Sequence, residues 1–251
     1  MDSLDSLTHL RRLSLDNNGE TMSEGTLQSM VDIETLQLRL AHMESLPDGI
    51  FYISKLRKLL LQCPHMRRME SKFCEFHNLI ILQLWECQRL EELPDLYKLR
   101  SLRRLDIYKC IKLKRFSKEF GDTGTFPLLE NFAIVELYEL EELPKLQEGA
   151  MPRLKVFTIM LCEALKKVPE NYWNLKELQK LRVYGCSKIL DNLESMDKIN
   201  KEREVVTMST IDTLKVLDRY LQVRHNLSSW FYSEFSNSEL FIFLRDLNRA
   251  L

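Results

Sequence analysis

The fold is decided by residues 78–116, which read NLIILQLWECQRLEELPDLYKLRSLRRLDIYKCIKLKRF. The apolar residues of this stretch follow one pattern twice, and the second copy begins 23 residues after the first. The first copy consists of Leu79, Leu82, Leu84, Cys87, Leu90 and Leu93, and the second of Leu102, Leu105, Ile107, Cys110, Leu113 and Phe116. A pattern that recurs at a fixed period is typical of a chain built from stacked units.

The same pattern extends in both directions and occurs eight times. It has the form L-x-x-L-x-L-x-x-N/C, which is the signature of leucine-rich repeats. Its last position is filled in turn by Asn18, Ala41, Pro64, Cys87, Cys110, Leu137, Cys162 and Cys186, at spacings of 23, 23, 23, 23, 27, 25 and 24 residues. We therefore predict a leucine-rich-repeat domain over residues 4–193, with about eight repeats of 23–27 residues.

The period also predicts how each repeat folds. In Leu-x-Leu the side chains alternate between two faces, as in a β-strand, so the leucines point into the core and the residues between them point outward. One repeat cannot bury its leucines alone, whereas stacked repeats share a continuous core. We expect a curved α/β solenoid with parallel strands on the concave face. Return segments 46–56 and 168–178 match in register, which predicts short α-helical or 3₁₀ turns on the convex side.

Two regions depart from the regular repeat. The longest spacers carry glycines in residues 121–124 and 147–149, and we expect both to be surface loops. The repeat pattern fades after Leu193, and residues 194–251 are predicted to form a helical C-terminal cap or tail. The prediction of helix rests on the capping-box pattern Ser209-x-x-Asp212 together with apolar residues at helical spacing. These residues are Ile211, Leu214, Leu217 and Leu221.

Composition excludes several classes of protein. The net charge of -1 argues against nucleic acid or an anionic membrane as the main partner. No apolar run approaches the roughly 18–20 residues of a membrane helix, and the N-terminus has no signal-peptide pattern. Four of the six cysteines occupy the same repeat position, which explains them without disulfides and favours a cytoplasmic protein.

Three stretches resemble a known family. The segments LPDGIFYISKLRKL, LWECQRLEELPDLYKLRSLRRLDIYKC and VPENYWNLKELQKLRVYGC combine L-x-x-L-x-x-L-x-L-x-x-C with a following L-x-x-L/V-P. In this they resemble the leucine-rich-repeat domain of plant intracellular immune receptors, the nucleotide-binding leucine-rich-repeat disease-resistance proteins. The resemblance covers residues 4–193. Extracellular plant repeats carry an L-x-G-x-I-P segment, which this chain lacks.

The resemblance implies a sensor domain of plant innate immunity. Such a domain binds pathogen-derived effectors or guarded host proteins and keeps a neighbouring nucleotide-binding module inactive. That module is absent from this chain, because no G-x-x-x-x-G-K-[ST] loop is present, and we expect no cofactor. The alternative is the substrate-recognition domain of an F-box-type ubiquitin ligase, although the return segments carry L-P rather than I-T-D. A small-molecule receptor is a third hypothesis and requires a pocket in the concavity.

A stripe on the concave face is the main candidate binding site. The residue after each Leu-x-Leu pair is Asp16, Arg39, Gln62, Trp85, Tyr108, Val135, Met160 and Tyr184. From the fourth repeat onward this stripe is aromatic or apolar, and we expect it to face solvent. Trp and Tyr are favoured at binding hot spots, so the last five residues form a predicted protein-binding surface. Packing of the tail or of another domain on this face is the alternative.

A second stripe precedes the strands and is basic. It consists of Arg11, Arg12, Arg57, Lys58, Arg103 and Arg104, interrupted by Glu34 and Glu130. Solvated charge at the strand entry is one interpretation, and docking to an acidic domain such as the nucleotide-binding module is another. Nucleic acid is disfavoured because no stacking aromatics are interleaved with these residues.

The remaining candidates for chemistry are weak. Cys63, His65, Cys74 and His77 are ligand types that suit zinc, but the first pair is too closely spaced and all four fall in one repeat, so we expect no metal site. Motifs of hydrolases and metalloproteases such as G-x-S-x-G and H-E-x-x-H are absent. The sequence therefore predicts a binding domain and not an enzyme.

Overall fold

The computed structural model describes residues 9–17, 27, 30–189 and 204–208. This part of the chain contains nine β-strands in one parallel sheet, in which each strand pairs with the strands before and after it in the sequence. The strands are β1 (Arg12–Asn17), β2 (Thr35–Leu40), β3 (Lys58–Gln62), β4 (Ile81–Trp85), β5 (Arg104–Tyr108), β6 (Asn131–Val135), β7 (Val156–Met160), β8 (Lys180–Tyr184) and β9 (Glu204–Met208).

The Leu-x-Leu pairs lie on common rungs of the sheet. Leu82 in β4 pairs with Leu105 in β5, which pairs with Phe132 in β6. All three side chains are buried, so each strand points one face into a core shared by successive repeats. The predicted curved leucine-rich-repeat solenoid with parallel strands is confirmed.

Short helical turns connect the strands on the convex side, as predicted. The 3₁₀ turns are Asp48–Tyr52, Ser71–Glu75, Leu96–Lys98 and Lys118–Gly121, and one turn of α-helix spans Glu170–Trp173. Pro47 and Pro169 precede the two turns whose return segments match in sequence. Proline suits this position because its fixed φ is compatible with the start of a helical turn. The backbone N–H that proline lacks would have no partner within the turn at this position.

Aromatic side chains fill the core where the repeats are longest. The rings of Phe132 and Phe157 stack with centroids 4.9 Å apart, and Tyr172 stacks on Phe157 at 5.3 Å. Phe120 packs against both Phe126 and Phe132. All of these rings are buried in the core.

The two glycine-containing loops bind each other. The backbone N–H of Gln147 donates to the carbonyl oxygen of Gly121 at 2.7 Å, and that of Gly124 donates to Gly149 at 3.2 Å. The Gln147 side chain also donates to Asp122 at 2.6 Å. Gly121 is buried against the Lys145 backbone, so the prediction of surface loops is correct for the tips and wrong for Gly121.

The chain leaves the sheet in two different ways. After β4 to β7, Glu86, Lys109, Glu136 and Leu161 adopt left-handed backbone angles, with φ between 48° and 54°. This extra residue turns the next one inward, which explains why the last residue of the pattern, Cys or Leu, is buried in these repeats. The described residues that follow β2 and β3 lack this turn and continue to alternate.

The predicted inward position is wrong by one residue in the second and third repeats. Leu40 and Cys63 are buried there, whereas Ala41 and Pro64 are only half-buried. The physical reason is the regular alternation of an uninterrupted strand, which places Leu40 on the same face as Leu38.

β9 was not predicted. It pairs in parallel with β8, although the sequence pattern predicts helix for residues 194–251. For the five residues Glu204–Met208 that prediction is wrong, and the remainder of the predicted helical tail lies outside the described residues. The 24-residue distance from Lys180 to Glu204 continues the spacing of the repeats, and the β-branched run Val205-Val206-Thr207 was the available signal. The domain boundary at residue 193 stays a prediction.

The thiols provide a simple test of the packing. All six cysteines are free, and only Cys74 is half-exposed while the other five are buried. Burial raises the pKa of Cys63 to about 12 and raises the pKa of Cys162 well above its ordinary value. Because the thiolate is the reactive form, one thiol per native chain should react promptly with a disulfide reagent, and six should react after denaturation. Two or more prompt thiols would contradict the described packing.

Candidate functional site

Two rows of side chains run across the concave face of the sheet. The exit row contains the last concave residue of each repeat and the middle row contains the residue inside each Leu-x-Leu pair. Strand register aligns the exit row as Asp16, Arg39, Gln62, Trp85, Tyr108, Val135, Met160 and Tyr184, as predicted. It aligns the middle row as Ser14, Gln37, Leu60, Gln83, Asp106, Ala133, Thr158 and Arg182.

The first three strands form an open half of this face. In the exit row Asp16 and Arg39 are exposed and Gln62 is half-buried. Arg39 donates to Asp16 at 3.3 Å across the β1–β2 pair. In the middle row Gln37 and Leu60 remain half-exposed although strands flank them on both sides. The open half is therefore a polar surface of mixed charge with one aliphatic side chain.

Trp85 marks the boundary between the two halves. Its side chain is half-buried, and its ring lies 4.4 Å from that of Tyr108, measured between ring centroids. Gln62 donates to Glu86 at 2.7 Å beside it. An aromatic pair thus borders the polar surface.

The remaining exit row is buried, which corrects the sequence prediction. Tyr108, Val135, Met160 and Tyr184 lie on the concave face as predicted, but Met160 is 2% exposed and Tyr184 is 0% exposed. The middle row from Gln83 to Arg182 is buried as well. We call β4–β8 the buried half of the face. Side chains with so little exposed area do not offer a ready contact surface to a partner.

A polar cluster lies inside the buried half. Arg104 donates from Nε to the Asp106 carboxylate at 2.6 Å, and Gln83 donates to the same oxygen at 2.8 Å. Burial raises the pKa of the Asp106 carboxyl, although Arg104 and Gln83 oppose this. Burial lowers the pKa of Arg104, but Asp106 and Tyr108 outweigh it and leave the pKa above its usual value. The cluster is an ion pair held out of water.

Sequence reasoning did not identify this cluster. Arg104 was assigned to the basic edge, and neither Gln83 nor Asp106 was singled out. The available signal was a charged residue inside a Leu-x-Leu pair, which lies opposite an amide one repeat earlier.

The basic edge is partly neutralised. Arg103 and Lys155 both contact Glu130, at 2.9 and 3.2 Å, and Arg11 approaches Glu34 at 3.9 Å. Among the described residues, the other predicted members Arg12, Arg57 and Lys58 form no ion pair. Burial, with Arg104 and Arg12 nearby, lowers the pKa of the Lys58 ammonium. The edge is an alternation of charges, and docking of a second module on it stays a prediction.

Other kinds of site find little support in the described residues. Nowhere in residues 9–17, 27, 30–189 and 204–208 do three or more metal-ligating side chains converge, and Cys63 instead lies 3.1 Å from the Met43 carbonyl oxygen. A depression of about 610 Å³ is lined by Lys114, Arg115, Tyr138 and Glu139 among others, at the strand-exit loops and not in the concavity. Within the part of the chain that the structure describes, no helix combines the length and apolarity needed to cross a bilayer.

Comparison with known proteins agrees with this architecture. Disease resistance protein RPS4B of Arabidopsis thaliana is 27% identical over 198 residues, which are 78% of this chain and 16% of that protein. The probable disease resistance protein RF9 of the same plant is 27% identical over 214 residues, 82% of this chain and 20% of that protein. The chain is similar to plant disease resistance proteins. It spans a fifth or less of the length of these two relatives.

The structural comparison concerns the fold alone. The leucine-rich repeat domain of the type III effector XopL superimposes with a TM-score of 0.60 at 22% identity, covering 82% of this chain and 71% of that domain. No protein-family model matches the chain. The similarity to disease resistance proteins therefore comes from the comparison of whole sequences alone.

Proposed function

We propose that this chain is the protein-recognition domain of a cytoplasmic plant immune receptor, and that it binds a pathogen-derived or host protein through the open half of the concave face. The observation that carries the proposal is the contrast between the two halves. Among the strands whose side chains are described, β1–β3 alone expose both rows of the concave face to a ligand, and Trp85 borders them.

The chemistry of the open half suits a protein ligand. Asp16 and Arg39 present opposite charges about one strand spacing apart, and Gln62 adds an amide. Exposed ion pairs contribute little to folding, so these groups can change partners at small cost. Arg and Trp are both enriched at binding hot spots, and here both lie beside other polar side chains. The surface has the mixture of charge and aromatic area that protein interfaces use.

The similarity to disease resistance proteins supports the immune role. It extends over about four-fifths of the chain. A recognition domain of this kind performs no chemistry itself, because its output is the change in a neighbouring module. The sequence upstream in the gene tests this part of the proposal. A nucleotide-binding module there supports it, and an F-box segment contradicts it.

A binding measurement tests the surface. The immobilised full chain is used to recover proteins from infected plant tissue, and each recovered protein is then purified and titrated against variants. We expect Arg39→Glu and Trp85→Ala each to weaken binding by about tenfold or more. Tyr52→Ala is the matched control, because Tyr52 is an exposed aromatic on a convex 3₁₀ turn. Equal affinities of Trp85→Ala and the unmodified chain, in folded proteins, would contradict the proposal.

A further inference from the structure

The concave face of β1–β5 carries an excess of positive charge. The first, third and fifth residues of each strand lie on this face, and we call the aligned first residues the entry row. It reads Arg12, Thr35, Lys58, Ile81 and Arg104. Together with the middle and exit rows, this part of the face holds four cationic side chains and two carboxylates. The excess is local, because the net charge of the whole chain is -1.

Both carboxylates of this face are already paired. Asp16 accepts a hydrogen bond from Arg39 at 3.3 Å, and Asp106 accepts one from Arg104 at 2.6 Å. Each pair uses one positive and one negative charge, so neither carboxylate is available to a further cation. Two of the four positive charges on β1–β5 therefore have no counter-ion on this face.

The two remaining cations are Arg12, which is exposed, and Lys58, which is half-buried between the uncharged Thr35 and Ile81. In the part of the chain that the structure describes, the ion pairs of this face are the two given above, and neither remaining cation takes part in one. Burial lowers the pKa of the Lys58 ammonium, and the charges of Arg104 and Arg12 lower it further. A partly desolvated cation without a counter-ion is destabilised, and an arriving carboxylate offsets that cost.

We propose that the entry row binds an acidic segment of the protein ligand, with one carboxylate on Lys58 and a second on Arg12. The inference rests on the proposed function and adds the chemistry of the ligand. The residues around Lys58 favour a protein over a nucleic acid, because Leu60 and Ile81 are aliphatic and offer no ring for base stacking.

The spacing of the two cations fits carboxylates on one face of a helix. Arg12 and Lys58 lie two strands apart, which is roughly 9.6 Å for strands about 4.8 Å apart. Two turns of α-helix rise about 10.8 Å, so glutamates seven residues apart on one helix reach both cations. Thr35 and Leu60 are half-exposed beside them and supply a hydroxyl group and aliphatic area for the rest of the segment.

Titration with a synthetic helical peptide tests the proposal. The probe is an alanine-rich peptide of about 16 residues, long enough to form helix, with two glutamates seven residues apart. Its matched control has glutamines at both positions. Fluorescence anisotropy with the full chain at low ionic strength should show at least about tenfold tighter binding of the glutamate peptide, and Lys58→Met should remove most of that difference. Lys72→Met should leave it unchanged, because Lys72 lies on a convex 3₁₀ turn and is paired with Asp48.

Three results of this titration would overturn the proposal. The first is equal affinity for the glutamate and glutamine peptides. The second is an equal loss of affinity in Lys58→Met and Lys72→Met, which would show only general attraction between charges. The third is equal or tighter binding of a single-stranded oligothymidylate of the same net charge, which would assign the site to nucleic acid.

Lysine acetylation locates the bound peptide. The full chain is treated with acetic anhydride, and the rate at each lysine is read by mass spectrometry. With the glutamate peptide at about ten times its dissociation constant, acetylation of Lys58 should slow about tenfold, while that of Lys72 should not change. An unchanged rate at Lys58 would contradict the proposal. A Lys58 that does not react in the free chain would show that another part of the chain covers it, and would contradict the proposal too.

The outcomes distinguish this site from the proposed function. Suppose that Lys58→Met leaves peptide binding unchanged while a plant protein recovered on the chain still depends on Arg39 and Trp85. The ligand is then not held by an acidic segment, and protein recognition by the open half stands. In the opposite case peptide binding depends on Lys58 and the recovered protein is indifferent to both other residues, so the acidic site stands and the proposed recognition surface is wrong.

Discussion

Asp106→Ala should lower the free energy of unfolding by about 3–5 kcal/mol, because it leaves the Arg104 guanidinium largely buried without its partner. Urea unfolding of the purified full chain measures this. The matched control is Asp95→Ala, which removes an exposed carboxylate that contacts Lys98 at 2.9 Å and should cost less than about 1 kcal/mol. If both variants lose the same stability, the Asp106 cluster is not held out of water.

A second variant separates the broken pair from the lost packing. Asp106→Ala/Arg104→Met removes both charges and should recover a large part of the stability, since replacing a buried pair by apolar groups is often neutral. No recovery in the double variant would show that the loss arises from packing rather than from an uncompensated charge.

The pH dependence of this group follows from its environment. Burial raises the folded-state pKa of Asp106 above the ordinary value of 3.8. A raised carboxyl pKa means that the folded state holds the proton more tightly than the unfolded state. The contribution of this group to stability is therefore fully present below the ordinary pKa and is lost as the pH rises through the folded-state pKa.

Gly121→Ala should be the second strongly destabilising change, with a loss of about 3 kcal/mol, the upper part of the usual range for overpacking. A Cβ atom at this position would lie 2.1 Å from the carbonyl oxygen of Lys145 and 3.0 Å from its carbonyl carbon. Both are backbone atoms, so no side-chain rotation relieves the contact. The shift would also disturb the hydrogen bond from Gln147 to Gly121.

Gly124→Ala is the control for this prediction. Gly124 has a φ of +75° and nothing within 4 Å of an added Cβ, so alanine there meets backbone strain without a clash. That strain costs about 1–2 kcal/mol. Thermal or urea unfolding should rank Gly121→Ala below Gly124→Ala in stability, and the reverse order would show that the two loops are not packed as described.

The repeat fold was predictable because its cause is periodic. Leu82 and Leu105 recur at the same phase of the pattern, and phase alone determines which face they occupy. The turn at the end of β4 was not predicted, because no sequence feature identifies Glu86 as a residue with left-handed backbone angles. For the same reason the sequence does not show that this turn is missing after β3, and Pro64 was wrongly predicted to point inward.

The candidate site was predicted in position and not in exposure. Strand register places Tyr108 and Met160 in one row, as the spacing of the sequence repeats predicts. Their burial is a property of the folded chain, and periodicity within the repeats does not predict it. The polar cluster of Gln83 and Asp106 was not predicted because it forms between strands 23 residues apart. Taken alone, each residue looks like an ordinary polar side chain on the outward face of a strand.

The pairing of each strand with only its two neighbours has a thermodynamic consequence. In such an array one interface can separate while those on either side persist, so denaturation need not be all-or-none. Amide hydrogen exchange should then proceed at different rates along the solenoid. A bound protein that bridges several rungs would join units that otherwise unfold separately, and occupancy would sharpen the melting transition as well as raise its midpoint.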